Sequence, residues 1–423
     1  MTQLLSLLPS GILLAFVQVV AALPWLLLVN RATVTSSLRR RSVVEILLTI
    51  VGVLAGLAVL GGAFASLLWL VQDKERLEFW GRVYGSVLQA QLTVDFFVVV
   101  LAIVLRLWPK GGAVALAAFR EALRQPMFWM LVGVAVLLMT VSLFLPYFTF
   151  GDDFKMVKQI NFDIVMLFAV AFGVIAAALS ISEEIEGRTA VTLMSKPVSR
   201  RQFLLGKFLG ILLASLVMTG ILSWLLHWVL FIRPVFDPLE NAHDLLQAQI
   251  APNLTRMVQE WIRLGNMFHR AETLAFVNGF ALQAADVLAA LPGLIIGACQ
   301  VMVLVAIAAA LATRLPMLVN LPTCLLLFFL GNLSPVLVQV SQKLRDQQGG
   351  GATMDLINFM ARLFDTVLPA LEFFNLGPAI IRDIPLDVLS FAKYCGSVCL
   401  YALLYTSIAM LFGLILFEDR DLA

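Results

Sequence analysis

Charge is scarce in this sequence: Asp, Glu, Lys and Arg supply 13% of 423 residues, roughly half the share in ordinary soluble domains. Apolar residues supply 61%, more than a water-soluble fold of this length can hide, whereas a fold solvated by lipid exposes apolar surface and needs few charges. A soluble globular protein is thereby excluded. The few charges also nearly balance, 29 Lys+Arg against 27 Asp+Glu, so the dense basic patch that would hold nucleic acid is missing. Cysteine is equally thin. Cys299, Cys324, Cys395 and Cys399 all lie in long apolar runs, where a thiol is a small buried hydrophobe rather than part of a disulfide framework. His227, His243 and His269 are too scattered for metal-ligand spacing, so no metal site is expected. No Lys or Arg precedes Arg31; without the basic opening of a secretory signal, the first apolar segment is expected to be a retained span.

What the sequence does have is apolar length. A helix crossing the hydrocarbon takes about 20 apolar residues, and nine segments reach that: 4–29, 43–72, 84–107, 127–150, 160–182, 204–232, 286–313, 316–340 and 390–417. The expected fold is all-α, a polytopic membrane protein of about nine transmembrane helices, with Pro9 and Pro24 kinking the first. Three short loops gather basic residues: Arg31 with Arg39, Arg40 and Arg41; Arg106, Lys110, Arg120 and Arg124; and Arg188, Lys196, Arg200, Arg201 and Lys207. The Lys/Arg bias assigns those loops to the cytoplasm, the amino terminus outside and the carboxyl terminus inside. The long stretch 233–285 then falls outside.

Three further helices are expected not to span. In 113–125, Arg120 and Arg124 stand one turn apart around Glu121, and Pro126 breaks the chain before the next apolar run, which makes an interfacial elbow. In 254–268, apolar residues recur at helical spacing. In 353–368, Asp355, Asn358, Arg362 and Asp365 form a narrow polar stripe. Packing on the membrane face accounts for the last two as well as a substrate role does.

From Ser182 to Gly210 the chain reads SEEIEGRTAVTLMSKPVSRRQFLLGKFLG. A helix leaves the membrane, Gly187 breaks it, a short amphipathic helix follows, Pro197 turns the chain, and Ser199 caps the next helix. Charge alone makes this an ordinary cytoplasmic loop. The residue order, however, resembles the cytoplasmic loop of type-2 ABC export permeases, similar to E-x-E-x-G-T, then L-x-S-x-P-V-S-R, then G-K, with Arg188 inserted between Gly187 and Thr189. The elbow Phe119–Pro126 and the stretch Leu371–Leu376 agree, so the resemblance covers about 113–423, and in particular the chain looks like the branch related to the permeases of nitrous-oxide-reductase copper maturation and gliding motility. It implies a six-span permease core at 109–423 with an extracytoplasmic helical insertion at 233–285; the three-span extension at 1–108 is not explained by it. It also implies an exporter whose elbow (Arg120, Glu121, Arg124) and loop rest on a separate ATP-binding subunit. The loop positions carried over are Glu183, Glu184, Glu186, Gly187, Arg188 and Thr189, then Lys196, Pro197, Arg200 and Arg201. A second permease copy or homologous half would complete the route. No phosphate loop is present, since Gly206-Lys207 is followed by Phe208 and position 201 is Arg; ATP is expected on the partner and no cofactor on this chain.

Ionisable and polar residues at membrane depth are functional candidates by default. Asp95 is the deepest, with Lys74 or Arg82 as expected partners; Glu45, Asp163 and Asp286 sit near span ends. His227, Gln300 and Asn320 are placed to line a pathway or to bond a neighbouring helix. No nucleophile–base pair or paired carboxylates stand out, so catalysis is not expected. Two other readings remain open: a non-transporting scaffold that binds an extracytoplasmic client, and a secondary transporter driven by Asp95.

Overall fold

The architecture comes from a computed structural model that describes residues 2–29, 43–71, 73–145, 153–186, 199–236, 260, 271–348, 355–356, 359–360, 362–363, 368–374 and 388–418. Apolar runs this long can satisfy their backbone in lipid only as helices or a closed barrel, and the described residues contain helices and no strand. In chain order these are α1 (Thr2–Val29), α2 (Val43–Leu70), α3 (Lys74–Leu107), α4 (Pro109–Arg124), α5 (Pro126–Ser142), α6 (Asp153–Glu186), α7 (Arg200–Phe236), α8 (Ala271–Ala312), α9 (Met317–Gln348), a 3-10 turn (Leu371–Phe374) and α10 (Val388–Glu418). The protein is an all-α, multi-pass membrane protein.

Seven of these helices are long and apolar enough to cross a membrane, or eight if the bent pair α4–α5 is one span, where the hydropathy pattern predicts nine. The two shortfalls have local causes. Pro126 cannot continue α4, so α5 starts afresh at 56° to it and runs 17 residues, about 25 Å. In α9 the apolar part is Met317–Leu333, ending before Ser334 and Pro335. In the other direction, the span expected at 286–313 begins earlier: α8 covers 42 residues, about 63 Å, twice the hydrocarbon thickness. The amphipathic stretch at 254–268 lies outside the described residues except for Glu260, as does most of 353–368.

The chain divides into two compact units, Met1–Arg106 with His243–Ala290, and Leu107–Ala242 with Leu291–Ala423. In the first, α1 and α2 touch through Gly11 and Gly61: a Cβ on Gly11 would overlap the Gly61 carbonyl. Tyr84 is the hub, edge-on to Phe64, Phe276 and Phe280 at 5.6–5.7 Å, with its hydroxyl donating to the Leu14 carbonyl at 2.8 Å. The buried Asp95 accepts the Trp25 N–H at 3.1 Å, beside Pro24, which interrupts the α1 ladder. The partners expected for Asp95 are corrected here. Arg82 lies 13 residues away on the same helix, about 20 Å, and pairs instead with Asp286 at 3.2 Å; Lys74 is farther still.

In the second unit α6 and α7 are the centre, with α5 and the C-terminal half of α8 against them. Phe128 of α5, fully buried, meets Phe172 of α6 edge-on at 5.0 Å. Buried Asn161 donates to Ser142 Oγ at 2.8 Å, and Asn320 donates to the Ala308 carbonyl at 3.0 Å. A groove of about 1130 Å³ runs past α8, α9, the 3-10 turn and α10, lined by residues such as Leu327, Leu368, Tyr401, Tyr405 and Phe412. Two tyrosines of α10 fix the turn beside it: Tyr401 Oη accepts the Ala370 N–H at 3.0 Å and Tyr394 Oη donates to the Phe373 carbonyl at 2.9 Å.

Candidate functional site

The candidate site is one end of the second unit, where α4, α6, α7, α8 and α10 terminate. It is built on a close crossing. Helix α4 starts at Pro109, whose missing N–H and fixed φ suit a first turn. It buries a stripe of small residues, Gly111, Gly112, Ala115, Ala118 and Ala122. Opposite them α7 presents Gly206 and Gly210. A Cβ on Gly206 would stand 2.8 Å from the Gly111 carbonyl, and one on Gly210 would overlap the Ala115 carbonyl and sit 2.7 Å from Ala118 Cβ. The two backbones therefore touch, as small residues four apart allow.

That crossing buries Lys207, which is 4% exposed. Its ammonium has three protons and three partners: Glu184 Oε1 at 2.7 Å, Ser180 Oγ at 2.8 Å and Glu121 Oε2 at 2.9 Å. Ser180 Oγ in turn donates to Glu121 Oε1 at 3.4 Å. The donor set of the ammonium is thus complete, and α4, α6 and α7 are joined at one atom. Glu184 Oε1 is the shorter contact and its side chain is 22% exposed, against 45% for Glu121.

A second junction holds the end of α10. Arg200 donates to the Phe417 and Glu418 carbonyls at 2.9 and 2.8 Å and stacks over the Phe417 ring at 5.7 Å; Arg314 Nε donates to the Leu416 carbonyl at 2.8 Å. Two cations thus occupy the end where a helix leaves carbonyls unpaired and negative. Ser182 Oγ ties α6 to the Leu315 carbonyl at 3.2 Å. Ser199 caps α7 as the sequence predicts, in a reciprocal pair with Gln202: each backbone N–H donates to the other's side-chain oxygen at 3.2 Å. Arg200→Ala should loosen the last turn of α10 by about 1 kcal/mol, which hydrogen exchange would read as about fivefold faster exchange confined to that turn.

The sequence-predicted positions divide as follows. Glu121, Glu184 and Arg200 belong to the two junctions. Arg120 and Arg124 are exposed on α4 around a concavity of about 620 Å³ that Glu121, Gln125 and Pro126 also line. Glu183 is exposed at the end of α6, and Arg201 lies 4.0 Å from Glu418. The Glu186 side chain, together with Gly187, Arg188, Thr189, Lys196 and Pro197, lies outside the described residues. Of the intramembrane candidates, His227 Nδ1 is 2.7 Å from the Ser223 carbonyl of its own helix, Asn320 bridges two helices, Gln300 is half-buried on α8, and Asp95 belongs to the first unit. Lys207, Ser180 and Arg314 are the members that sequence reasoning missed as a site; the available signal was Gly-x-x-x-Gly around Lys207. Among the described residues no group of three or more His, Cys, Asp or Glu gathers as a metal site requires.

Residues 122–252 match the family model described as ABC-2 family transporter protein. The matched segment runs from the last turn of α4 through α5, α6 and α7, and so includes Ser180, Glu184, Arg200 and Lys207. The match is to the family and carries no narrower assignment to a branch. No curated protein matches the chain.

Proposed function

Because the chain carries an ABC-2 family transporter domain at residues 122–252, we propose that it is the permease component of an ABC transporter in the cell membrane. A separate ATP-binding subunit docks at the end where α4, α6, α7, α8 and α10 meet. That end is then cytoplasmic, as the Lys/Arg distribution requires. The observation that carries the reading is the joining of the elbow to both helices that flank the 187–198 segment, since a partner pressing on that end would move the spans rather than a loose loop. Exposed Arg120, Arg124, Glu183 and Arg201 supply charges of both signs for docking. ATP hydrolysis belongs to the partner, because this chain has no phosphate-loop motif. In this reading substrate moves outward through a route completed by a second permease copy or a homologous half. Residues 109–423 are its core, 1–108 an extension beside it and 233–285 a segment outside the membrane.

Full-length protein purified from native membranes should bring an ATP-binding ABC subunit with it. In liposomes the pair should hydrolyse ATP several-fold faster than the subunit alone, and Glu186→Lys should abolish both binding and stimulation. Absence of the ATP-binding subunit, or a Glu186→Lys chain that still binds and stimulates, would overturn the reading.

A further inference from the structure

We propose that Lys207 is the positioning residue that carries movement of the end of α6 into the elbow α4 and into α7 itself. The inference rests on the permease reading above and names the atom through which that coupling passes.

Three observations lead to it. First, the ammonium is buried and has all three protons engaged, by Glu184 and Ser180 of α6 and Glu121 of α4. A buried ion pair is a poor way to gain stability, because a well-packed apolar side chain of the same volume is often as good or better. What an ammonium adds over a methionine is direction: short bonds to fixed oxygens set the register of one helix end on another.

Second, the junction stands where α6 ends. Helices α4 and α7 are in backbone contact at Gly206 and Gly210. Glu184 lies two residues before the end of α6. Lys207, with the Ser180–Glu121 hydrogen bond beside it, is therefore the polar link between the end of α6 and the α4–α7 pair. A displacement of that end reaches the pair as tension or compression on the bonds from Lys207 Nζ to Glu184 and Ser180.

Third, two carboxylates surround one ammonium. Only one is needed for neutrality, so the second is explained by connection: each carboxylate stands on a different helix. Removing the lysine would leave Glu121 and Glu184 facing one another, and their repulsion would part the elbow from α6.

The test uses the full chain with its ATP-binding subunit in liposomes. With spin labels at exposed Ala117 on α4 and half-buried Leu179 on α6, in protein that retains ATPase stimulation, the wild-type separation should stay fixed between the nucleotide-free and ATP-bound states. In Lys207→Met the separation should become nucleotide-dependent, with binding of the subunit unchanged and stimulation reduced about tenfold, within the usual range of coupling between sites. Lys207→Arg should recover part of the stimulation. Neutralising the junction, with Lys207→Met combined with Glu121→Gln and Glu184→Gln, should restore thermal stability but not stimulation, because it removes repulsion without restoring the link. If stimulation returns with stability, Lys207 is merely structural and the proposal falls. It falls equally if the wild-type separation changes on ATP binding, a measurement that needs no Lys207 variant to fold. A wild-type chain that neither binds nor stimulates any ATP-binding subunit overturns the permease reading and this inference with it. A wild-type chain that does both, matched by Lys207→Met, overturns this inference alone.

Discussion

Gly210→Leu is expected to abolish the native packing of the second unit and, with it, any stimulation of an ATP-binding subunit. A Cβ at Gly210 overlaps the Ala115 carbonyl and lies 2.7 Å from Ala118 Cβ and 2.9 Å from the Phe119 nitrogen. Two of those three obstacles are backbone atoms, which cannot rotate away, so α4 must leave α7. Even Gly210→Ala should cost about 1–3 kcal/mol, the usual price of overpacking, and leucine several times the displacement. Thermal unfolding in detergent should show no cooperative transition for the leucine variant and a clear downward shift for alanine. Gly133 of α5 is the control: nothing lies within 4 Å of its Cβ position and it faces outward, so Gly133→Ala should be neutral or slightly stabilising through helix propensity. Equal sensitivity at both positions would show that the crossing is not specific.

Phe128→Ala should have the next largest effect, about 2–4 kcal/mol. In water such a truncation loses transfer free energy and also leaves a cavity. In lipid the first contribution nearly vanishes, because the acyl chains are as apolar as the core; the cavity and the lost edge-on contact with Phe172, about 1 kcal/mol, remain. Phe128 is the third residue of α5, just after the bend at Gln125, so the loss should also loosen the angle between elbow and span. Trp129, the next residue, is 59% exposed, and Trp129→Ala should change the unfolding temperature little. A Trp129 effect equal to that of Phe128 would place the stabilising contact elsewhere.

These two positions mark what was legible in the sequence and what was not. Apolar length announced the helices, and Pro126 and Ser199 announced where two of them begin, because each acts through backbone geometry within a few residues. The elbow is legible in the same way, since Arg120 and Arg124 followed by Pro126 require nothing distant. Lys207 was different. In the sequence it belongs to a run of basic residues at the start of a span, where a lysine is ordinarily solvated, and its burial depends on α4 crossing at Gly206, some 90 residues earlier in the chain. Arg314 is hidden for the same reason, its partner being the Leu416 carbonyl of another helix. The expected partners of Asp95 failed on arithmetic that the sequence already contained: Arg82 and Asp95 share one helix, 13 residues apart.

The arginine junction at the end of α10 has a mechanical consequence. Arg200 and Arg314 grip the Leu416–Glu418 carbonyls, while Tyr401, Tyr405 and Phe412 of the same helix form a wall of the apolar groove. Tyr401 is about 24 Å along the axis from the gripped end. A tilt of about 5° applied at the grip therefore sweeps Tyr401 through about 2 Å, enough to change what fits beside it. Helix α10 is a lever whose short arm is held by Arg200 of α7 and by Arg314 just beyond α8, and whose long arm forms a wall of the apolar groove.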